Sequence, residues 1–312
     1  MYPPSPIRRG NEGEVYTKML KDKTIGWIGA GVMGHAMLQH LIKEGYRVLV
    51  YNRTRSKTDD LVALWASYID SIAELSAGSD VIFTIIGDPQ NVRETYLWSK
   101  GIIENAKPGS ILVDMTTTQP SLAAEIFEAA EAKDILSLDA PVSGWDVWAI
   151  AGTLSIMVWW EQATYDAILP LFELMWKSIV YCGEAGYGQH TKMANQIGIA
   201  GNTIALCEAL VYAEKMNLDL EKTITVVSGW AAGSWGWNNL APRIINNDLD
   251  TCFFIKHFVK DMRIALDECN KRNITLPWLA LVHQLYTSLM AAGDGNLWTQ
   301  ALIKAIRKLN NI

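Results

Sequence analysis

The stretch Thr24-Ile25-Gly26-Trp27-Ile28-Gly29-Ala30-Gly31-Val32-Met33-Gly34 decides the fold of this chain. An apolar run leads into a Gly-x-Gly-x-x-Gly pattern, and a helical pattern follows from Val32 to Lys43. In such a unit the first glycine permits a tight turn, the second lets the backbone approach a pyrophosphate, and the third lets the helix pack closely. The N–H groups at the helix start favour phosphate. The stretch therefore predicts a dinucleotide-binding unit whose cofactor contacts are Gly29, Ala30, Gly31, Val32, Met33 and Gly34.

A second strand is predicted at Tyr46–Tyr51, and polar residues follow it. NAD-binding units usually carry an acidic residue here, which binds the ribose 2′-OH. This chain has a neutral Asn52, followed by cations and a hydroxyl, a set that suits a 2′-phosphate. The segment therefore favours NADPH over NADH and predicts cofactor contacts at Asn52, Arg53, Thr54 and Lys57. The alternative is that Arg53 and Lys57 belong to a solvated helix start.

Three further strands are predicted at Asp80–Ile86, Ser110–Asp114 and Ile135–Ala140, and each ends in small polar or turn residues. The last of them ends in Pro141-Val142-Ser143-Gly144. Ligands of open parallel sheets bind beyond the carboxyl ends of the strands. A threonine run at such a place can also be a helix cap, but repetition at several strand ends favours a site. We expect site residues at Ile86, Gly87, Asn91, Thr117, Ser143 and Gly144.

The second half of the chain reads as helical. Two shorter strands, Thr153–Val158 and Ser178–Cys182, precede a glycine-rich hinge at 183–188. The helices expected beyond it are Gln189–Met216, Leu220–Ser228, Ile255–Arg272, Leu276–Ala292 and Leu297–Lys308. The predicted fold class is α/β, with a disordered tail at 1–22, a Rossmann-type NAD(P)-binding domain at 23–187 and an all-α domain at 188–312, expected to serve substrate binding and oligomerisation.

Composition and charge narrow the class of protein. Half of the 312 residues are hydrophobic and the net charge is −6, which argues against nucleic acid or a membrane surface as a partner. No apolar run approaches the ~20 residues that span a bilayer, and residues 1–22 lack a signal-peptide core. The four cysteines lie far apart, as buried thiols of a reducing compartment do. We expect a cytoplasmic protein; the five histidines show no metal-ligand pattern.

Lys192 is the candidate for chemistry. It lies one turn into the long predicted helix, which should start at the carboxyl edge of the sheet. Asn195 follows three residues later and so shares a face with Lys192. An ammonium group can protonate the alkoxide that forms as hydride reaches a carbonyl, and the amide can hold the substrate or orient the lysine. The alternative is a surface lysine at a helix start. Lys256 and Lys260 share a face of a later helix, and an exposed position is as plausible for them as a ligand contact.

Four stretches in order resemble the β-hydroxyacid dehydrogenase family, the group of 3-hydroxyisobutyrate dehydrogenase, tartronate semialdehyde reductase and glyoxylate/succinic semialdehyde reductase. They are Gly26–Gly34, Asp139–Gly144, Gly186–Asn195 and Phe253–Asp261, and the resemblance runs from about Lys23 to the end of the chain. It implies a Rossmann domain, a helical domain that helps to form a homodimer or homotetramer, and a cleft between the two domains.

The resemblance also implies residue roles. Lys192 would be the catalytic lysine, and its presence argues against imine reduction, since the relatives that reduce imines lack it. The Asn52–Thr54 segment is similar to that of the NADPH-using semialdehyde and glyoxylate reductases. Substrate contacts would be Ser143, Gly144 and Asn195, with the neighbouring Trp145 in the same pocket, and cofactor contacts would include Gly87, Asn91, Thr117 and Lys260.

Thirteen tryptophans in 312 residues is an abnormally high count. By resemblance, ten of them stand where the family tends to have glycine. Glycine in turns often has a positive φ or no space for a side chain, and overpacking costs ~1–3 kcal/mol per site. We therefore hypothesise that a UGA codon that means glycine in the source was translated as tryptophan at these ten positions. Trp27 and Trp235 look native, and Trp237 is undecided. By resemblance, the family tends to have glycine at Trp65, Trp98, Trp145, Trp148, Trp159, Trp160, Trp176, Trp230, Trp278 and Trp298.

The sequence predicts an NADPH-dependent reductase of a small aldehyde or 2-oxo acid that bears a carboxylate, with Lys192 as the proton donor. One alternative is an NAD-dependent 3-hydroxyisobutyrate-type dehydrogenase that works in the oxidative direction; coenzyme preference at Asn52–Thr54 separates the two. The other is a non-catalytic cofactor-binding protein, which would bind NADPH tightly and be indifferent to Lys192→Ala.

Overall fold

A computed structural model of the chain describes residues 20–144, 146–158, 162–250 and 253–312. Three of the tryptophans singled out above, Trp145, Trp159 and Trp160, lie outside the described residues, as do residues 1–19 of the expected tail. The chain forms two compact units, Met1–Lys192 and Met193–Ile312.

The first unit contains a six-stranded parallel sheet. Because the strands are covered on both faces, they read as apolar runs rather than as alternating ones. Their bounds are β1 (Thr24–Ile28), β2 (Arg47–Tyr51), β3 (Ser67–Tyr68), β4 (Val81–Thr84), β5 (Ile111–Asp114) and β6 (Leu136–Asp139). The spatial order is β3-β2-β1-β4-β5-β6. The order of the strands reverses between β1 and β4, and that switch point is where ligands of such sheets bind.

Helices connect these strands and cover the sheet. They are α1 (Val32–Lys43), α2 (Asp59–Ala63), α3 (Ile72–Gly78), α4 (Pro89–Leu97), α5 (Ile102–Asn105) and α6 (Pro120–Glu131). Alternate residues of the strands enter two separate apolar clusters, with Phe83 in one and its neighbour Ile82 in the other. Since neighbouring strand residues point to opposite faces, each face of the sheet has its own core. In the first cluster the rings of Trp27 and Phe83 stack with centroids 5.4 Å apart.

A small second sheet follows in the same unit. It consists of β7 (Val142–Ser143), β8 (Leu154–Val158) and β9 (Trp176–Tyr181), in that order, with the helices α7 (Asp146–Ile150) and α8 (Gln162–Glu173). The sequence predicted no strand at Val142–Ser143, whereas in the structure these two residues pair antiparallel with Ile156 and Ser155. A two-residue strand is too short to show a periodic pattern in the sequence.

The second unit is helical, which confirms the predicted fold class of a Rossmann-type domain followed by an all-α domain. The helix α9 (Tyr187–Lys215) begins in the first unit and continues into the second. The others are α10 (Leu220–Ser228), α11 (Trp235–Asn239), α12 (Ala241–Ile245), α13 (Ile255–Lys271), α14 (Pro277–Ala291) and α15 (Leu302–Leu309), with 3-10 turns at Arg55–Thr58, Asp294–Asn296 and Thr299–Ala301. The helix predicted at Leu297–Lys308 is in fact a 3-10 turn followed by α15.

Two other expectations differ from the structure. Leu20 is 6% exposed and belongs to the core of the first unit, so this core includes a residue of the expected tail. By length and composition alone, one helix of the described chain could cross a membrane, namely α9, and half of its apolar window is buried within the protein.

Candidate active site

The three glycines of the turn after β1 differ in what a side chain at each position would meet. Gly29 has φ +105°, and a Cβ there would lie 2.2 Å from the Ile85 carbonyl oxygen. A Cβ on Gly34 would lie 2.1 Å from the Gly29 oxygen, so the helix could not approach the turn. A Cβ on Gly31 would meet no protein atom within 4 Å. Packing therefore requires the first and third glycines, whereas the second faces open space, as a pyrophosphate approach needs.

The start of α1 has the properties of an anion site. Gly31 is the N-cap residue of this twelve-residue helix, no side chain caps the helix start, and no acidic residue lies in its first turn. The first N–H groups of a helix have no partner within the helix and carry partial positive charge. The indole N–H of Trp27 donates to the Gly29 carbonyl oxygen at 3.0 Å and holds the turn in place. This region fits a dinucleotide phosphate.

Asn52 ties the end of β2 to the glycine turn. Its Oδ1 accepts a hydrogen bond from the Ala30 N–H at 3.0 Å, and its Nδ2 donates to the Thr54 carbonyl oxygen at 2.7 Å. The side chains of Arg53, Thr54 and Lys57 are exposed just beyond it. The end of β2 therefore offers cations and a hydroxyl, and no carboxylate stands at position 52, where a ribose 2′-OH would be bound.

Beyond β4 and β5, a buried network of polar side chains shapes the edge of the sheet. The Thr84 hydroxyl donates to Asp114 Oδ1 at 2.8 Å and contacts the Tyr96 hydroxyl at 2.7 Å. Asp114 Oδ1 also accepts from the Thr116 N–H at 3.0 Å. Burial raises the pKa of Tyr96 well above its ordinary value, and the Asp114 carboxylate adds to that rise. Tyr96 is therefore a neutral hydroxyl that helps to fix the strand ends.

The loops with the predicted cofactor contacts are joined to this network. The Ile86 N–H donates to Thr116 Oγ1 at 3.0 Å, which links the loop after β4 to the loop with Thr117. Asp88 caps α4 by accepting from the Asn91 N–H at 3.1 Å. A Cβ on Gly87 would lie 2.8 Å from Asn91 Oδ1. Ile86, Gly87, Asn91 and Thr117 thus lie at the carboxyl ends of neighbouring strands.

The start of α9 is fixed to the end of β6. The Asp139 carboxylate accepts from the Gly186 N–H at 2.8 Å and from the Gln189 N–H at 2.9 Å. Gly186 has φ +84°, and a Cβ there would lie 2.7 Å from the Pro120 carbonyl oxygen. A Cβ on Gly188 would lie 2.5 Å from the Met157 carbonyl oxygen. Gly186 and Gly188, two glycines of the predicted hinge, thus have no space for a side chain. Their lack of a Cβ lets the start of α9 lie close to the sheet.

Lys192 follows this fixed helix start and is 7% exposed. Lysine is seldom buried so far without a specific reason, and Lys192 has interactions within the protein. Asn195 lies one turn further along α9, where its Nδ2 donates to Gln196 Oε1 at 2.8 Å. The spacing of three places the two side chains on one face of the helix.

The predicted substrate contacts Ser143 and Gly144 end the short strand β7. Ser143 is half-buried and pairs with Ser155 of β8. Gly144 has φ +127°, and a Cβ there would lie 2.5 Å from Leu154 Cδ2. Trp145 lies outside the described residues.

Lys260 lies in the second unit, on α13. Its Nζ is 3.2 Å from Asp261 Oδ1, and both side chains are largely buried. Asp261 also accepts a hydrogen bond from Gln196 of α9 at 2.7 Å. Lys256, by contrast, is exposed and donates to Asn296 Oδ1. The structure thus distinguishes two lysines that helix spacing alone left equivalent, and it places Lys260, the one that the resemblance implies as a cofactor contact, in a buried charged pair.

The first unit brings the glycine turn, Asn52, the loop ends and Lys192 to the carboxyl side of one sheet. Sequence reasoning gave no role to Thr84, Tyr96, Asp114 and Gln189, because buried polar partners have no sequence pattern. Asp139 did stand out in the sequence, since it opens the family-like stretch Asp139–Gly144, but residue spacing could not show that it caps α9.

Among the described residues, no group of three or more His, Cys, Asp or Glu side chains could hold a metal.

Comparisons with known proteins agree with this architecture. The NAD binding domain of 6-phosphogluconate dehydrogenase matches residues 24–183, and the NAD-binding family of NADP-dependent 3-hydroxyisobutyrate dehydrogenase matches residues 186–306. An uncharacterized oxidoreductase of Bacillus subtilis is 48% identical, over 90% of this chain and 98% of the relative. A probable mitochondrial 3-hydroxyisobutyrate dehydrogenase-like protein of Arabidopsis thaliana is 47% identical, over 92% and 86% of the two chains. The solved Mycobacterium tuberculosis 3-hydroxyisobutyrate dehydrogenase with L-serine has a TM-score of 0.85 and 29% identity, over 91% and 99%.

Proposed function

The chain belongs to the β-hydroxyacid dehydrogenase family, and we propose that it reduces a small carboxylate-bearing aldehyde or 2-oxo acid with NADPH, using Lys192 as the proton donor. Members of this family are NAD(P)-dependent oxidoreductases that act on a CH–OH group. The observation that carries the proposal is the burial of Lys192, 7% exposed, on a helix whose start is fixed to the carboxyl edge of the nucleotide-binding sheet.

The chemistry needs one hydride and one proton. NADPH supplies the hydride to the carbonyl carbon when bound. The Lys192 ammonium donates its proton to the carbonyl oxygen as that oxygen gains negative charge, so that C=O becomes CH–OH and the neutral amine is reprotonated from solvent. A cation in a buried position stabilises the developing charge more than an exposed one. Asn195, Ser143 and Gly144 are proposed to hold the substrate.

The proton-donor role is tested by comparing Lys192→Met with Lys215→Met. Lys215 lies in the last turn of the same helix and is exposed. We expect Lys192→Met to lower kcat by about 10²–10⁴-fold, the usual contribution of a positioned acid, with NADPH affinity retained. Lys215→Met should leave kcat unchanged. The substrates are glyoxylate, succinic semialdehyde and tartronate semialdehyde, followed through NADPH oxidation. Full activity of Lys192→Met would contradict the assignment.

NADPH preference is supported by the neutral Asn52 and the exposed Arg53, Thr54 and Lys57 beside it. Asn52→Asp is the informative variant, because aspartate keeps an oxygen for the Ala30 N–H but adds a negative charge. It should raise KM for NADPH about tenfold or more, the effect of ~1.4 kcal/mol, and lower KM for NADH. An unchanged ratio of the two KM values would contradict the proposal, and preference for NADH in the unaltered protein would favour the oxidative alternative.

A homodimer or homotetramer is proposed as the working form. The second unit exposes large apolar side chains, a feature that marks association surfaces when they are contiguous. Light scattering at several concentrations tests the assembly, and a mass of one chain throughout would exclude it. Among the described residues, the exposed side chains are Tyr212, Met216, Leu218, Val226, Trp230, Trp235, Ile274, Trp278, Leu281, Met290, Leu309 and Ile312.

A further inference from the structure

We propose that Asp139 and Gln189 are positioning residues, which set Lys192 in register with the loop at 116–118 beside the cofactor. This inference rests on the proposed function, since it assigns the residues that place the proton donor. Both side chains are buried: Asp139 is 6% exposed and Gln189 is 0% exposed.

The start of α9 has no cap of its own. Gly186 stands at the N-cap position and carries no side chain, although the first N–H groups of a helix need acceptors. Asp139 supplies both acceptors from β6, to the Gly186 N–H at 2.8 Å and to the Gln189 N–H at 2.9 Å. A local Ser, Thr or Asp would cap the helix equally well. The cap from a distant strand additionally fixes where the helix begins relative to the sheet.

The Gln189 side chain makes the second attachment. Its Oε1 accepts from the Thr118 N–H at 3.0 Å, and its Nε2 donates to the Thr116 carbonyl oxygen at 2.8 Å. These two bonds enclose Thr117, a predicted cofactor contact. Lys192 is three residues further along α9 and therefore on the same face as Gln189. A rotation or a shift of the helix would break these bonds and displace the lysine at the same time.

The fit at Gly188 leaves no room for such a shift. A Cβ at this position would lie 2.5 Å from the Met157 carbonyl oxygen and 2.7 Å from Asp139 Oδ2. The helix start is thus held by two bonds to Asp139, two bonds through Gln189 and direct contact at Gly188. Proton transfer depends steeply on such placement, because a 1 Å error can cost about 10²-fold in rate.

The test compares Gln189→Met, Gln189→Glu and Asp139→Asn with Gln90→Met. Gln90 is exposed on α4, and its Nε2 donates to Glu94 Oε1 of the same helix at 2.8 Å. We expect Gln189→Met and Asp139→Asn to lower kcat by about 10- to 100-fold with little change in KM for NADPH. Gln189→Glu keeps the acceptor for Thr118 and should recover part of the loss. Gln90→Met should behave as the unaltered protein.

Hydrogen exchange of the amides at 186–192, followed by mass spectrometry, gives a readout without turnover. Loss of either attachment should speed this exchange about tenfold or more, while exchange in β1 and β4 stays unchanged. Exchange and kcat that match the unaltered protein in Gln189→Met would overturn the inference. If the unaltered protein reduces no substrate, the proposed function fails, whereas the exchange still decides whether these residues hold the helix start.

A second inference comes from an independent feature, the C-terminal end of α2. The Trp65 N–H donates to the Val62 carbonyl oxygen and the Ala66 N–H to the Leu61 carbonyl oxygen, each at 3.0 Å. This pair of bonds is the Schellman motif, whose C′ residue adopts a left-handed conformation and is usually glycine. Trp65 occupies that place with φ +82°.

Other helices of the chain end with the same pair of bonds. After α1, Gly45 bonds to Ile42 and the next residue bonds to Leu41, and Gly45 has φ +78°. Left-handed backbone is tolerated by Gly, Asn and Asp and is a steric outlier for bulky residues. Among the described residues, Trp65 is the one non-glycine residue of positive φ that is neither Asn nor Asp. The others are Asp134, Asn217, Asn247, Asn273 and Asn311.

From this geometry we infer that position 65 is glycine in the protein that the source organism makes, its codon being decoded there as glycine. Trp65 is 92% exposed, so burial of the indole does not offset its backbone strain. Trp27 shows the opposite case. It is fully buried, stacks on Phe83 and donates its indole N–H to Gly29, as expected of a tryptophan that the fold uses.

Two tryptic peptides of the protein isolated from its source show which amino acid is present at position 65. The peptide at 58–93 contains Trp65 and the peptide at 24–43 contains Trp27, with no other tryptophan in either. We expect the mass of glycine at position 65 and of tryptophan at position 27. Tryptophan at both positions would overturn the inference.

Recombinant variants test the structural reason. Trp65→Gly and Trp65→Ala both remove the indole, but only glycine removes the Cβ. We therefore expect Trp65→Gly to have a Tm about 2–4 °C above that of Trp65→Ala, the shift expected for a strain of this kind in a domain of this size. Equal Tm values would show that this turn does not demand glycine and would count against the inference.

Discussion

At the residue scale, the buried carboxylate of Asp139 positions the start of α9 and does not stabilise the fold at neutral pH. Burial raises its pKa from 3.8 to about 6, although the N–H groups of Gly186 and Gln189 lower it. Because the folded-state pKa lies above the unfolded-state value, the folded protein binds this proton more tightly. The stabilising contribution is complete below the unfolded-state pKa and is lost as the pH rises through about 6. Its size is roughly 3 kcal/mol.

Asp139→Asn removes this titration. Relative to the unaltered protein, the free energy of unfolding of the variant should therefore increase by up to roughly 3 kcal/mol between pH 4 and pH 7, because only the unaltered protein loses stability over this range. The titratable groups that act on Asp139 include Asp114, whose charge raises the Asp139 pKa, and the Cys182 thiol, whose own pKa is raised by burial. Urea unfolding at several pH values measures the difference. The exposed Asp134→Asn is the control, and parallel curves for Asp139→Asn and the unaltered protein would contradict the prediction.

Substitutions at Gly31 and Gly34 distinguish a glycine that the ligand requires from one that packing requires. Gly31→Ala meets no protein atom within 4 Å, so its Tm should stay within about 2 °C of the unaltered protein, while NADPH affinity should fall about tenfold or more. Gly34→Ala brings a Cβ to 2.1 Å from the Gly29 oxygen and should lower stability by roughly 1–3 kcal/mol. Calorimetry with NADPH titration measures both. Undiminished affinity in Gly31→Ala would contradict the assignment.

The tryptophans expected to overpack the fold divide into different groups. Trp65, Trp98, Trp230 and Trp278 are more than half exposed, so overpacking does not apply to them. Trp176 and Trp298 are buried, at 5% and 3% exposed, and Trp298 stacks on the Arg243 guanidinium at 4.1 Å. Trp148 is half-buried. Backbone conformation demands glycine only at Trp65 among these described positions, which makes it the decisive residue for the decoding hypothesis.

At the scale of elements, α9 connects the sheet edge to the helical unit, and its glycines differ by position. Gly188 lies against Met157 and Asp139, whereas a Cβ on Gly198 would meet nothing within 4 Å. Gly188→Ala should destabilise the protein by roughly 1–3 kcal/mol and lower kcat. Gly198→Ala should stabilise it by about 0.5–1 kcal/mol, since alanine favours a helix interior.

Urea unfolding and NADPH oxidation of both variants check this prediction. The two substitutions add the same methyl group to the same helix, so that helix propensity alone would stabilise both variants. Equal effects of the two would show that the close approach at Gly188 is not what holds the start of α9.

At the scale of the whole molecule, cofactor binding should stabilise the folded chain by mass action. At a concentration about 100 times Kd, the gain is roughly 2.7 kcal/mol. We expect NADPH to raise Tm more than NADH does at equal concentration. The difference should vanish in Asn52→Asp and persist in Lys192→Met, because only the first variant alters the 2′-phosphate region. A larger shift with NADH would contradict the proposed coenzyme preference.

The sequence by itself determined the fold class and the location of the cofactor region. Gly29, Gly31 and Gly34 have fixed roles because a missing side chain is visible in any sequence, and alternating strand and helix patterns are local in range. The predicted helices Val32–Lys43 and Leu220–Ser228 agree with α1 and α10 to the residue. The strand ends were close for the same reason, whereas β3 and β7, of two residues each, are too short for a pattern.

Only the tertiary structure decided how the candidate proton donor is held. Asp139 and Gln189 are about 50 residues apart, and the bonds from Gln189 to Thr116 and Thr118 cross more than 70. Such pairs form because buried polar groups must find partners wherever the fold places them, and no spacing rule records that. The left-handed backbone at Trp65 is likewise a property of the folded chain. The number of tryptophans is evident from the sequence, but only the structure shows which of them lies where the backbone requires glycine.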